Sequence, residues 1–238
     1  FDAAVPQWCQ EFSIPVEKAK GWKLRAMLIA DRSDLSRFER AGLLPPELPE
    51  FAAGFQRNHE CWLFAQPGRY YTRHLLLHEG THGFMQWFTG GYGAPWYSEG
   101  VAERLALHRW QDGQLQLGYR VSDREEVEYW GRMKTIRTEY AAGQALTLED
   151  VLRIPPNAFS DVRYYAWSWA GVEFLRAHPA SREVFQSLAA QTSQPATVPF
   201  RDTVPELAFV WKQSLGVKKW GNISNRGQWQ EVAQICWK

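Results

Sequence analysis

A chain of 238 residues can bury one substantial core or two small lobes around a cleft. Lysine and arginine number 27 against 26 aspartates and glutamates, a net charge of +1. That balance excludes the strong surface field that draws nucleic acid or an anionic membrane. No apolar run reaches the roughly 20 residues of a membrane-spanning helix, so no integral membrane segment is expected.

The first residue is Phe1, from which we expect a processed chain, exported or held in the cell envelope. Cys9, Cys61 and Cys236 are too far apart for a CxxC metal pair and too few for a disulfide framework; one bridge near the termini stays open. The 13 tryptophans are expected mainly as core packing, with the walls of a sugar or substrate groove as the sharper alternative.

In chain order, Lys23 to Ala30 reads as a strand. A helix follows with Ser33 or Asp34 at its start, Leu35 and Phe38 on one face, and Gly42 as its stop. "CWLFAQPG", Cys61 to Gly68, reads as a second strand closed by Pro67-Gly68. "RYYTRHLLLHEGTHGFMQWF" is helical, with Leu75, Leu76, His78, His82 and Met85 largely on one side. Thr89 to Pro95 is a glycine-rich connector, and "WYSEGVAERLALHRW" makes the next helix.

From Ser122, paired with Glu125 in a capping box, an amphipathic helix is expected to run to Gly143. "TLEDVLRIPP" predicts a short capped helix and "YYAWSWAGVEFLRAHP" a longer one. The remainder is expected to be partly helical, and Asn222 opens a glycosylation triplet of little weight. The expected fold is α+β and predominantly helical. It divides into residues 1–110, with a small sheet packed on the histidine-bearing helix, and a helical lobe over 111–238.

The stretch "HLLLHEGTH" carries the chemistry. Residues four apart in a helix stand one above the other, so His78 and His82 can face one ion. Zinc takes imidazole nitrogens at about 2.0–2.1 Å, a demand that two successive turns can meet. Glu79 lies beside these ligands, where a carboxylate can hold a water and take its proton. His74 sits one turn earlier, but about 12 Å of helix rise separates it from His82. It is read as packing or support, not as a third ligand.

The third ligand is expected from "PWYSEGVAERLA": Glu99, on a helix that the connector lets fold back, with Gly100 allowing close approach. Glu103, one turn on, can bond the other ring nitrogen of a ligating histidine and fix its tautomer. Three protein ligands and a water are what a catalytic zinc needs.

"HEGTH" followed by "WYSEGVAE" resembles the gluzincins, in particular their peptidase-MA-like and aminopeptidase-like branch. The resemblance implies a zincin-like fold and a zinc metallopeptidase, with His78, His82 and Glu99 as ligands and Glu79 as general base. The 16 residues between His82 and Glu99 are a shorter spacing than that family's.

The family also has a tyrosine opening a helix of the form Y-x-x-G-x-A-x-x-x-x-L. "YAWSWAGVEFL", Tyr165 to Leu175, follows it with Ser168 at the small position. That implies Tyr165 as the donor to the oxyanion, with Tyr164 as its neighbouring alternative.

The stretch upstream that grips a free amine in aminopeptidases has no counterpart in "NHECWLFAQPG", although Glu60 is near. The strand from Cys61 to Gln66 is instead expected as a sheet edge to which an extended peptide adds, as in an endopeptidase.

The expected partner is a peptide or protein substrate and the expected cofactor Zn2+. Two other readings stand beside it. One is an inactive zincin-fold module that binds envelope peptides or glycans; the other is a zinc amidohydrolase acting on a non-peptide substrate.

Overall fold

In the computed structural model, residues 1–44, 51, 53–119, 131–190 and 192 are described. The helices are α1 (Val5–Glu11), α2 (Leu35–Arg40), α3 (Arg69–Phe88), α4 (Pro95–Ala106), α5 (Gly131–Ala141), α6 (Leu148–Leu152), α7 (Val162–Ala177) and α8 (Arg182–Ser187). The strands are β1 (Arg25–Ile29), β2 (Gly54–Arg57), β3 (Glu60–Phe64), β4 (His108–Gln111) and β5 (Gln114–Leu117). The class is α+β, as expected. Among the described residues no helix is long and apolar enough to cross a membrane.

The chain forms two compact units: Phe1–Phe88 with Leu105–Tyr119, and Thr89–Arg104 with the described chain beyond residue 120. In the first, β1, β3 and β2 form a sheet in that order. β1 runs parallel to β3, pairing Arg25 with Glu60 and Ile29 with Phe64. β2 runs antiparallel to it, pairing Gly54 with Leu63 and Arg57 with Glu60.

Cys61, Trp62, Leu63 and Phe64 are all buried, and the period of two along a strand sorts them onto opposite faces. Trp62 and Phe64 join Ile29, with Leu35 and Phe38 of α2 packed against them. Cys61 and Leu63 join Leu75, with Leu24, Tyr71 and Leu76 packed against them. β3 is therefore the central strand, not the expected edge. β2, whose four residues "GFQR" give too short a pattern to register in the sequence, occupies the side left open for a peptide.

α3 has the bounds expected of it, but its burial is not one-sided. Every residue from Leu77 to Met85 is buried, so its middle is enclosed around the whole circumference. Close packing there needs small residues. A Cβ on Gly80 would lie 2.5 Å from the Phe1 ring and 2.8 Å from that of Trp8 on α1. Among the described tryptophans, Trp8, Trp62, Trp96 and Trp167 are fully buried core, while Trp87 and Trp110 are exposed.

α4 ends at Ala106, short of the expected Trp110, because His108–Gln111 pair with Gln114–Leu117 in a hairpin. Its turn residues Asp112 and Gly113 both have positive φ, at 52° and 76°, the handedness a tight hairpin requires. The hairpin is anchored within its unit by Gln7 of α1, whose side chain donates to the Leu115 carbonyl at 2.8 Å and accepts from Leu117 N–H at 2.8 Å.

In the second unit Thr147 caps α6 in a reciprocal box with Asp150, and Asp161 caps α7. α5 meets α7 through Glu139, which accepts from Arg163 at 2.6 Å and from Trp167 at 2.7 Å. Those donors, Arg163 foremost, hold the Glu139 carboxyl below its ordinary value. α4 meets α7 at Gly100, where an added Cβ would run into the Ser168 carbonyl and the Val172 side chain. Cys9 and Cys61 are buried free thiols; Cys236, Asn222 and the Ser122–Glu125 box lie outside the described residues.

Gly100→Ala should lower stability by about 1–3 kcal/mol, since the obstacle is backbone and cannot rotate away; denaturant unfolding measures this, and an unchanged midpoint would mean that α4 and α7 do not approach so closely.

Candidate metal centre

The structure brings together three of the residues singled out from the sequence. One ligand atom from each of His78, His82 and Glu99 lies within 4.8 Å of the others. His78 and His82 are buried and Glu99 is half-buried. Among the described residues, His74 is not in this group.

The histidine pair is the better-formed part. Their Nε2 atoms face each other at 3.1 Å across one helical turn. Two nitrogens bound tetrahedrally to one zinc at about 2.0–2.1 Å stand about 3.3 Å apart. The same 3.1 Å suits a hydrogen bond from one neutral ring to the other, so the pair alone does not specify a metal. Glu99 offers one carboxylate oxygen to the same group.

Glu79 is buried, at 8 % exposure. Its carboxylate lies against the sheet at β2, where a Cβ on Gly54 would meet Oε1 at 2.6 Å. The Cys61 thiol senses it too: burial first, then the Glu79 charge, push that thiol well above its ordinary value.

His74 is fully buried, its ring 6.5 Å from that of Tyr70 and 5.7 Å from that of Tyr71. Nearby, His108 shows how this protein buries a histidine for structure. Its ring stacks on Tyr70 at 4.3 Å and 8°. Arg73 Nε lies 3.2 Å from His108 Nε2, and the Ala106 carbonyl 2.8 Å from its Nδ1. Arginine can only donate, so Nε2 must accept and Nδ1 must carry the proton. Burial, chiefly, lowers its pKa to about 4, with the Arg73 and His74 charges adding to this and the Ala106 bond opposing it.

Glu103 is also buried. Both of its oxygens accept from Arg132 of α5, at 2.6 Å from Nε and 2.8 Å from Nη2. The Arg132 guanidinium lies over the Tyr165 ring, 5.1 Å from its centroid. Arg132 also donates to the Val162 carbonyl at 3.3 Å, and Phe159 meets the Tyr165 ring edge-on at 5.0 Å. Tyr165 thus sits half-buried in the first turn of α7, one turn before Ser168. Ser168 is the residue that Gly100 abuts, next to Glu99.

Arg132 is the residue that sequence reasoning misses. Its only local signal is a place in a charged helix, and the bidentate match to Glu103 appears once α5 is folded.

Comparison of the chain with known protein families, curated proteins and solved structures returns no match.

Two measurements check these arrangements. The ion pair of Arg132 and Glu103 is 12 % and 3 % exposed, so Arg132→Leu should cost about 3–5 kcal/mol by taking the guanidinium away from a buried carboxylate. Adding Glu103→Leu should recover much of that loss.

His108 tests the other cluster. It stays neutral in the folded chain down to about pH 4, while in the unfolded chain it takes a proton near 6.5. The unfolded state therefore binds more protons between those values. Stability from His108 is complete above pH 6.5 and is lost as pH falls towards 4, by at most about 3 kcal/mol. Denaturant unfolding against pH, compared with His108→Gln, reads this slope.

Proposed function

We propose that this protein is a zinc-dependent metallohydrolase that cleaves peptide bonds within a chain. The observation that carries the proposal is the grouping of His78, His82 and Glu99, with Glu79 one residue from the first ligand. The donor set fits zinc: two neutral imidazole nitrogens and one carboxylate are among its usual ligands in hydrolytic sites. When bound, the ion supplies Lewis acidity that brings the pKa of a water towards neutrality and polarises a carbonyl.

The chain's own groups do the rest. Glu79, enclosed and held against β2, takes the proton of the attacking water and returns it to the leaving amine. Tyr165 donates from its phenol to the oxygen on which charge develops. Arg132 fixes the ring of that tyrosine from its face while pairing with Glu103 on α4, one turn from Glu99. Among the described residues β2 is the outer strand on the side of the sheet where Glu79 packs, and an extended peptide pairing there would be held by main-chain bonds without strict demand on its sequence. No counterpart of an amine-gripping stretch precedes α3, which favours internal over N-terminal cleavage.

Protein purified without added metal should carry about one zinc per chain by elemental analysis, and Glu99→Ala should sharply reduce it. Glu79→Gln should keep the zinc and abolish cleavage of a broad peptide library that the wild type processes. A wild type that cannot be loaded with zinc sinks this reading. One that holds zinc, turns nothing over, and binds peptides or glycans equally well before and after Glu79→Gln is a binding module instead.

A further inference from the structure

We propose that Gly54 is a positioning residue for the Glu79 carboxylate, its missing side chain being what admits that carboxylate against β2; this rests on the hydrolase reading above.

Gly54 has no backbone reason to be glycine. Its φ is not among the positive values found at Gly21, Gly42, Gly90, Gly93, Gly113, Gly118 and Gly143, and it pairs in ordinary register with Leu63. Gly54 is the first residue of β2; glycine there costs backbone entropy and offers no packing side chain, and its bare backbone lets a neighbour approach closely.

The nearest approach is made by one side chain. The three atoms nearest to a Cβ on Gly54 are Oε1, Cγ and Cδ of Glu79, at 2.6, 3.0 and 3.1 Å. The tight glycines of α3 differ: Gly80 faces Phe1 and Trp8, and Gly83 faces Leu24. The register supports the same contact. Gln56, two residues on and on the same face of β2, donates to Gln86 of α3 at 2.9 Å, seven residues beyond Glu79. β2 is thus laid along α3 at two points, one a side-chain bond and the other the bare backbone of Gly54 beside the carboxylate. A methyl group at position 54 would push the carboxylate off its place while leaving the imidazoles of His78 and His82 undisturbed.

The test uses the whole chain and two cycles. In denaturant unfolding of the metal-free protein, Gly54→Ala should lower the midpoint beside Glu79 and by less than about half as much beside Glu79→Ala, the non-additivity expected of residues in contact. Equal shifts in both backgrounds would overturn the contact, and with it the proposal.

In the zinc-loaded protein, Gly54→Ala should retain the metal and lower kcat at least about tenfold with KM little changed, as expected when a group acting in the transition state is misplaced. Beside Glu79→Asp, whose carboxylate is one methylene shorter, the same alanine should cost little further. Full kcat in Gly54→Ala would overturn the positioning role, reducing Gly54 to packing. Absence of turnover in the zinc-loaded wild type would instead defeat the hydrolase reading, and the catalytic role of Gly54 with it. The unfolding cycle needs neither metal nor substrate, so it still reports separately whether the carboxylate is seated on Gly54.

Discussion

Burying a carboxylate or an imidazole costs free energy unless a partner replaces the water it loses. This chain encloses such groups along α3, α4 and α7, and much of its architecture answers that cost. Glu103 meets Arg132, Glu173 meets Arg104 at 3.1 Å, and Glu139 meets Arg163. Each pair joins two helices of the second unit, so the neutralisation of charge and the choice of helix neighbours are one event. A buried ion pair adds little net stability over apolar packing, yet breaking one is expensive. These pairs therefore fix which helix lies against which more than they deepen the fold.

Glycine is the complementary device. Where arginines draw α4, α5 and α7 together, Gly100 lets α4 and α7 approach to backbone distance. Gly80 and Gly83 do the same for the aromatic and leucine side chains packed on α3, and Gly54 does it for Glu79. Each position trades backbone entropy for proximity. At Gly54 the closest neighbour is a charged group, not an apolar one, and that difference separates a packing glycine from one with a chemical consequence.

How far the sequence reveals this follows from the range of each interaction. α3 is legible to its ends because its signals are local: a glycine before it, a long helical period, and histidines at a spacing of four. His78, His82 and Glu99 are legible for the same reason, each lying in a short motif. β2 is not, since four residues starting with glycine carry almost no period. The edge position expected of β3 fails because a run of four apolar residues does not say how many neighbours a strand has; burial on both faces does. The hairpin at Asp112-Gly113 has a readable turn, hidden by a helical pattern that reaches it from α4. Arg132 is invisible because its meaning depends on a contact between α4 and α5, 29 residues apart in the chain.

The chain carries histidines under two regimes, and their surroundings tell them apart. His108, at the start of β4, has both ring nitrogens committed by groups of fixed polarity: an arginine that can only donate and a carbonyl that can only accept. That leaves one tautomer and no nitrogen for a ligand, which suits a neutral post holding the hairpin. His78 and His82 instead turn the same kind of nitrogen, Nε2, towards each other, with a carboxylate oxygen beside them. Between two imidazoles facing through the same atom, the proton can sit on either ring. A cation could accept both lone pairs, and a hydrogen bond from one neutral ring to the other also satisfies both atoms, so the facing nitrogens of this pair admit either state, whereas those of His108 admit one.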